Sequence, residues 1–238
     1  MSNMQTLRFY VTPSHNCSYL PNQKAKTLFV DPQKRVTNET YSQLSELGFR
    51  RSGGHIYRPH CEGCQACQSI RIPVADFKPS KSQRRILNKN RDLKVLRKFP
   101  MMDREYFALY QDYIDKRHAD GDMYPPTPEQ FNQFLVEGVL DSWFYEFRNA
   151  NNRLLAVAVT DHLNQDMSAL YTFYAPDEES RSLGTFAILW QIEEAKRRGM
   201  HYLYLGYWVK SCRKMNYKTA FKPLELLIDG HWTHFRSE

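Results

Sequence analysis

The 238-residue sequence has no apolar run that approaches the ~20 residues needed to cross a bilayer. Its first 11 residues carry neither a basic head nor the apolar stretch of about 7–15 residues that a secretory signal requires. It also has no internal repeats and no low-complexity tract. Because 42% of the residues are hydrophobic and 14% are aromatic, the chain can bury a core, which excludes general disorder. We therefore expect a soluble cytoplasmic protein with one large domain or two small ones.

Cysteine is scarce, and the count of five is odd, which argues against a disulfide framework in a chain without a secretory signal. Cys61, Cys64 and Cys67 are spaced so that their thiolates can surround one zinc ion or iron–sulfur cluster. Cys17 is the first candidate for a fourth ligand; His15, His55 and His60 are the others. The alternative is that the cysteines are small buried apolar residues, and their spacing does not decide between the two.

Acidic residues are nearly absent from two segments of this chain, whose net charge is +7. Segment 78–98 holds nine Lys or Arg residues against Asp92, and segment 196–222 holds eight against no acid. The rest of the chain carries an acidic excess. A solvated helix face is one explanation for such runs, and binding of a polyanion such as a nucleic acid is the other. Arg84 and Arg85 are the candidate contacts in the first segment.

Composition changes along the chain. Residues 1–77 are rich in turn formers and hold four of the five cysteines, which predicts a small irregular unit of short strands without helices. A basic connecting helix is expected over 82–90. These features predict an N-terminal cysteine-containing unit over 1–97 and a second domain over 98–238.

The second half shows clear periodicity. Asp103 is placed to begin a helix that runs to about Arg117, and Thr127 opens a capping box whose helix ends near Gly138. Strands are expected over 143–148, 153–160 and 167–175. A helix over 183–198, a strand over 201–206, a short helix over 209–217 and a strand over 224–229 follow. Because the first three strands are joined by short turns, this order predicts an α+β fold with a mixed sheet and flanking helices.

The segment Arg181-Ser182-Leu183-Gly184 lies where a strand gives way to a helix. Such a helix start presents backbone N–H groups to an anion, so Arg181 and Ser182 are candidates for binding the donor. This placement after three antiparallel strands resembles the Gcn5-related N-acetyltransferase (GNAT, acyl-CoA N-acyltransferase-like) fold, which holds coenzyme A there. Phe186 stands where that family has Gly or Ala, which indicates a different acyl carrier.

Three further groups of residues could take part in binding or catalysis. Arg50, Arg51 and Ser52 lie beside the paired glycines of segment 48–59, and arginine suits carboxylate recognition; an exposed basic hairpin is the alternative. His118 could move a proton, although it also lies in a region typical of a helix end. Tyr204 and Tyr207 could stack a terminal adenine, or could simply belong to a core strand.

Several long motifs occur together: segments 16–21, 48–59, 61–71, 117–118, 171–184 and 204–207. In these the chain, over about 8–235, resembles the arginyl-tRNA–protein transferase family, and within it the leucyl-tRNA–protein transferase branch of bacterial aspartate/glutamate leucyltransferases. The resemblance implies transfer of leucine from leucyl-tRNA to proteins that begin with Asp or Glu, which marks them for N-degron proteolysis. It also implies the GNAT-like fold in the C-terminal half.

The chemistry implied by this resemblance requires alignment of an amine with an activated ester and stabilisation of an oxyanion, and it needs no cofactor. Gly184, Tyr174 and His118 are the candidate catalytic residues. Eukaryotic relatives hold an iron–sulfur site at N-terminal cysteines, and Cys67 matches that pattern best. Two other functions are open: a coenzyme A-dependent N-acetyltransferase, and an RNA-binding module without enzymatic activity.

Overall fold

The N-terminal part of the computed structural model, which describes residues 7–138 and 140–235, consists of short strands around one helix. Its elements are β1 (Phe9–Val11), β2 (His15–Asn16), β3 (Lys24–Ala25), β4 (Thr27–Val30), α1 (Asn38–Glu46), β5 (Arg50–Ser52) and β6 (His55–Pro59). Four of the strands form an antiparallel sheet in the order β1-β4-β6-β5. The expected short strands are confirmed, but the expectation of no helix is wrong. Buried Tyr41 and Leu44 hold α1 through tertiary packing, which local composition does not report.

A mixed sheet of eight strands forms the centre of the molecule. Its strands are β7 (Gln68–Pro73), β8 (Lys94–Lys98), β9 (Ser142–Arg148), β10 (Leu154–His162), β11 (Met167–Tyr174), β12 (Tyr202–Trp208), β13 (Glu225–Ile228) and β14 (His231–His234). They lie in the order β14-β13-β7-β12-β11-β10-β9-β8, and β11 pairs in parallel with β12. The α+β class with a mixed sheet is therefore confirmed.

The helices begin where the sequence provides caps. They are α2 (Lys81–Lys89), α3 (Arg104–Arg117), α4 (Pro128–Phe131), which continues as a π-helical turn over Asn132–Val136, and α5 (Leu183–Arg197). Ser80 and Thr127 each form a capping box with the residue three positions on, and Asp103 Oδ1 accepts from the backbone N–H of Glu105 at 2.7 Å. Two 3₁₀ segments cover Pro176–Arg181 and Arg213–Ala220. No helix in the described ranges is long and apolar enough to cross a membrane.

The central strand β10 has all nine residues buried because helices cover both faces of the sheet. On one face, α5 packs its apolar residues against the sheet, and on the other, α3 does so with a row of aromatic side chains. A third cluster joins α1 to the N-terminal sheet. A strand buried on both faces shows a continuous apolar run rather than alternation, as segment 154–159 does.

Residues 68–98 contribute two strands to the central sheet. β7 lies between β13 and β12, and β8 forms the edge beside β9. The sheet is thus not confined to 98–238, since strand pairing joins segments far apart in sequence, which composition does not reveal. The division of the chain at 97/98 stays a prediction.

A buried ion pair joins the N-terminal sheet to the central one. Arg51 Nη2 and Nε donate to Asp161 Oδ1 and Oδ2 at 2.7 and 3.0 Å, and both side chains are only 1% exposed. Arg51 also donates to the Ser142 hydroxyl at 3.2 Å, and the Tyr41 hydroxyl donates to Asp161 at 3.2 Å. The pair therefore connects α1 and β5 to β9 and β10.

We expect Asp161→Asn to lower the free energy of unfolding by about 3–5 kcal/mol, because it leaves a buried guanidinium without its counter-charge. Urea unfolding measures the change. The control is Asp177→Asn, which breaks a half-exposed pair with Arg153 and should cost less than about 1 kcal/mol. Equal, small losses in both variants would contradict the role of the buried pair.

Candidate active site

The two parallel strands of the central sheet separate soon after they meet. β11 has eight residues and β12 has seven, yet their last pair is Ser168 with Tyr204. Just beyond this pair β11 carries one extra residue, Leu170, relative to the antiparallel register of β10. Such a β-bulge bends the strand that contains it. β11 therefore turns away from β12 directly after Ser168.

β12 has a bulge of its own at the same level. Tyr204 pairs with Arg71 of β7, but the next pair joins Tyr207 to Ser69, which leaves one extra residue on β12. Gly206 has φ +76°, a left-handed conformation that glycine adopts at little cost. We call the space between residues 169–174 of β11 and 205–208 of β12 the wedge. Its inner edges present backbone groups that no ladder between the two strands satisfies.

One tyrosine hydroxyl at the wedge has no partner. The buried hydroxyl of Tyr171 makes no hydrogen bond with any described residue. Its ring lies 5.2 Å from the Phe134 ring and 6.4 Å from the Tyr113 ring, centroid to centroid. Burial raises the pKa of Tyr171, so the hydroxyl keeps its proton and can donate a hydrogen bond to an incoming oxygen.

The three candidate catalytic residues are connected by packing, in part through a fourth residue. A Cβ at Gly184 would lie 3.1 Å from Cε1 of Tyr174, so the start of α5 packs directly on that ring. The Tyr174 ring lies 4.8 Å from the Tyr113 ring, and the Tyr113 hydroxyl lies 2.9 Å from Nε2 of His118. Tyr113, on α3, is the residue that connects Tyr174 to His118. Their roles in catalysis stay predictions.

His118 is held as a neutral imidazole. Burial lowers its pKa, the cations of Lys214 and Arg117 lower it further, and the carboxylate of Asp120 opposes them. Below-normal basicity keeps the ring uncharged at neutral pH, so it can accept a proton. Asp120 also pairs with Lys214 at 2.7 Å, which ties the loop after α3 to the 3₁₀ segment over Arg213–Ala220.

Arg50 is a buried cation with unused hydrogen-bond donors. It is 5% exposed, and its Nη1 donates to the carbonyls of Phe49 at 2.7 Å and Ser45 at 3.3 Å. Its Nε and Nη2 have no partner among the described residues. The other buried arginines, Arg51 and Arg71, each face a carboxylate. A buried guanidinium without an anion is costly, so the site around Arg50 is suited to receive one.

The two neighbours of Arg50 in the predicted acceptor group differ in position. Arg51 points to the opposite face of β5, and its guanidinium is committed to Asp161 in a dry environment. This corrects the expectation that Arg51 contacts an acceptor, because the side chain is neither exposed nor free to donate. Ser52 is half-buried on the same strand face as Arg50, and its role stays a prediction.

Tyr204 and Tyr207 do not form an exposed stacking surface. Tyr204 is fully buried under the Arg50 guanidinium, whose Cζ lies 4.8 Å from the ring centroid. Tyr207 is 7% exposed, and its hydroxyl donates to the carbonyls of Gly48 at 2.8 Å and Tyr57 at 3.2 Å. This corrects the expectation that the two rings bind a terminal adenine: the strand is a core strand, as the alternative interpretation held.

The residues before α5 are arranged differently from the expected anion site. Arg181 donates to both oxygens of Asp92 at 2.9 and 3.0 Å and to Glu178 at 3.1 Å. Two carboxylates thus occupy the guanidinium, which corrects its assignment to donor binding. Ser182 is exposed with φ +53° at the start of α5 and makes no side-chain cap, so its role stays a prediction. Arg84 and Arg85 are exposed on α2.

The four N-terminal cysteines are half-buried free thiols. Burial raises the pKa of Cys67 to about 12, with added contributions from Cys17, Cys61 and Cys64. Within the described ranges no group of three or more His, Cys, Asp or Glu side chains is placed to hold a metal ion. Metal binding at these cysteines stays a prediction.

Sequence reasoning missed two residues of this site. Tyr113 matched the helical spacing of a core residue, and Tyr171 matched a strand residue. The available signal was the pair of tyrosines in segment 171–174, ten residues before Gly184.

Comparisons with protein families match both halves of the chain. Residues 15–85 match the family described as "Arginine-tRNA-protein transferase, N terminus", and residues 105–228 match "Arginine-tRNA-protein transferase, C terminus". A protein of Marinobacter nauticus named aspartate/glutamate leucyltransferase is 55% identical over 238 residues, which is 100% of both chains. Proteins of the same name from Pseudomonas aeruginosa and Pseudomonas putida are 56% and 57% identical over 232 residues, or 98% of each chain.

Two solved structures resemble the chain at low sequence identity. L-PGS from Bacillus licheniformis has a TM-score of 0.48 and 13% identity, and the match covers 72% of this chain and 59% of that one. FemX has a TM-score of 0.47 and 10% identity, and the match covers 88% of this chain and 82% of that one. These likenesses concern the fold alone.

We expect Gly184→Ala to reduce the rate of catalysed transfer by about 3- to 10-fold while changing the free energy of unfolding by less than about 1.5 kcal/mol. The added methyl would press on Tyr174 and shift its ring by a few tenths of an ångström. The control is Gly63→Ala, because no atom lies within 4 Å of a Cβ built there. Steady-state kinetics measures the transfer rate, and urea unfolding measures the free energy of unfolding. An unchanged transfer rate would show that Tyr174 is not part of the site.

Proposed function

The chain belongs to the arginine-tRNA-protein transferase family, and we propose that this transferase moves leucine from leucyl-tRNA to the α-amino group of proteins that begin with Asp or Glu. Curated relatives that match the full length are named for that acceptor and that amino acid. The observation that carries the proposal is the wedge, which has a tyrosine donor on β11 and, 5.9 Å from the Tyr207 ring of β12, the guanidinium of Arg50 with two unpaired donors. We further propose that the product is a degradation signal in the cytoplasm.

The reaction joins an amine to an activated ester. The acceptor's α-amino group has a pKa of about 7.7–8.0, so a useful fraction is already neutral at cytoplasmic pH. Its nitrogen forms a bond to the leucyl carbonyl carbon, the ester C–O bond breaks, and the tRNA leaves with its terminal hydroxyl restored. The neutral ring of His118 accepts the proton that the attacking nitrogen loses and returns it to the leaving oxygen of the tRNA. The enzyme therefore acts chiefly by alignment.

The tetrahedral intermediate carries an oxyanion. The unpaired backbone N–H groups at the inner edge of β11 and the hydroxyl of Tyr171 are the donors that we assign to it. They lie in a region that aromatic rings shield from water, where a hydrogen bond to a developing charge is stronger than in solution. The packing of Tyr174 on Gly184 holds one side of this region in place.

The acceptor's acidic side chain finds its partner in Arg50. The Nε and Nη2 donors of that residue form a planar pair that matches a carboxylate. A neutral Asn side chain offers one oxygen and no charge, so it leaves the guanidinium uncompensated. We therefore assign the preference for Asp and Glu to Arg50.

In this proposal, the RNA of the donor binds along the basic helix α2. A groove of about 560 Å³ lies between α2, β8 and α5, and its lining includes Arg84, Arg91, Phe186 and Trp190. Arginines beside a partly exposed aromatic ring, here that of Trp190, are suited to phosphates and unstacked bases of single-stranded RNA. Arg84 and Arg85 on α2 are the contacts we propose.

A coenzyme A-dependent N-acetyltransferase is the competing function, and two observations disfavour it. Arg181, which would bind the pyrophosphate, is occupied by Asp92 and Glu178. Phe186 packs its ring 5.4 Å from Phe147 in the core, where the acetyltransferase family has a small residue. No cofactor takes part in the chemistry proposed here. A zinc ion or iron–sulfur cluster at the N-terminal cysteines would have a structural role only.

Incubation of the protein with labelled leucyl-tRNA and a peptide that begins with Asp should yield leucyl-peptide, identified by mass spectrometry. A peptide that begins with Asn should react at least about tenfold more slowly, because it lacks the charge that a buried guanidinium requires. Labelled acetyl-CoA replaces the RNA donor in a parallel reaction. Acetyl transfer without leucyl transfer would overturn the proposal in favour of the acetyltransferase.

The KM for leucyl-tRNA should rise steeply with salt, because phosphate contacts release counterions. Charge reversal at Arg84 and Arg85 together should raise that KM at low salt and flatten the logarithmic salt dependence by about 0.7 per contact to single-stranded RNA. Lys34→Glu, an exposed reversal outside both basic segments, is the control. A donor KM that does not change with salt would exclude segment 78–98 as the RNA-binding surface.

A further inference from the structure

Lys218 extends toward the wedge from the 3₁₀ segment over Arg213–Ala220. Its Nζ donates to the backbone carbonyl of Tyr207 at 2.5 Å, on the part of β12 that has left β11. A Cβ at Gly206 would lie 3.8 Å from the same Nζ, so the ammonium group sits at the β12 bulge. The side chain of Lys218 is therefore fixed at the edge of the site rather than spread over the surface.

Lys218 and Arg50 share a neighbour. The Arg50 Cζ lies 5.9 Å from the centroid of the Tyr207 ring, and the Lys218 ammonium group binds the carbonyl of the same residue. Two cations are thus brought to one tyrosine, and in the described part of the chain neither has a carboxylate within ion-pair distance. Burial lowers the pKa of Lys218 to about 8, and the Arg50 cation lowers it further, whereas Cys212 opposes them.

This arrangement is unlike that of the other cations held inside the fold. Arg51 faces Asp161, Arg71 faces Glu225, and Arg148 faces Glu146. Two neighbouring cations without an acid repel each other, and an anion between them removes that repulsion. The position of the pair beside the wedge means that the anion must come from a molecule bound at the site.

We propose that Lys218 is a specificity-determining residue that binds, together with Arg50, the side-chain carboxylate of the acceptor's first residue. This inference rests on the proposed function, because it takes the acceptor to be a protein that begins with Asp or Glu. Arg50 forms the buried floor of this subsite. Lys218, which is half-buried, forms its outer wall, so an entering carboxylate passes Lys218 first.

The test compares kcat/KM for two peptides that differ only in Asp or Asn at the first position. Lys218→Met removes the charge and keeps the aliphatic stem, Lys218→Arg keeps the charge, and Lys34→Met is the matched control on an exposed lysine. Binding of both peptides is measured in parallel by calorimetry without RNA, so that recognition is tested separately from transfer. Thermal unfolding reports on the folded state; if the Met variant does not fold, Lys218→Gln, which keeps a donor for the Tyr207 carbonyl, replaces it.

We expect Lys218→Met to lower kcat/KM for the Asp peptide by about tenfold or more and that for the Asn peptide by less than about threefold. Lys218→Arg should keep the preference for the Asp peptide over the Asn peptide, and Lys34→Met should leave that preference unchanged. Equal losses for both peptides, or an unchanged ratio of Asp to Asn binding, would overturn the inference. Absence of leucyl transfer by the wild-type protein, with Asp-selective binding intact and dependent on Lys218, would instead contradict the proposed function alone.

Discussion

The separation of β11 from β12 after the Ser168–Tyr204 pair is the constraint on which the rest of the structure depends. Each strand has a bulge just beyond that pair, and the two bulges bend the strands apart. An uninterrupted sheet would satisfy every backbone group and leave no room for a substrate. The bulges therefore turn the middle of a buried sheet into a site with free hydrogen-bonding groups, while pairing with β10 and β7 keeps both strands rigid.

Charges inside the fold serve two different purposes. Arg51 and Asp161 neutralise each other and join the N-terminal sheet to the central one. Arg50, the adjacent residue on β5, points to the opposite face and has no carboxylate among the described residues. Because strand residues alternate in direction, one short strand can supply both a structural ion pair and a cation for an external anion. The rigid Arg51–Asp161 pair holds β5 in place and so keeps Arg50 in position.

Most of the fold could be predicted from local signals. The caps at Asp103 and Thr127 and the apolar run of β10 act over a few residues, so the sequence around them reports directly on the structure. α1 was missed because its stability comes from Tyr41 and Leu44, which pack against distant segments. Strands β7 and β8 of 68–98 join the central sheet through partners that are distant in sequence, β7 with β12 and β13 and β8 with β9, and local composition does not report such pairing.

The sequence by itself determined the family, the fold class and the types of residue that the chemistry requires. The reason is that family motifs, helix caps and hydrophobic periodicity each involve residues that are close together in the chain. It placed Gly184, Tyr174 and His118 near the site but did not separate Arg50 from Arg51, nor single out Lys218. Only the tertiary structure decided which of these cations has a carboxylate partner. The physical reason is that the cost of a buried charge depends on what surrounds it, and residues far apart in the chain supply those surroundings.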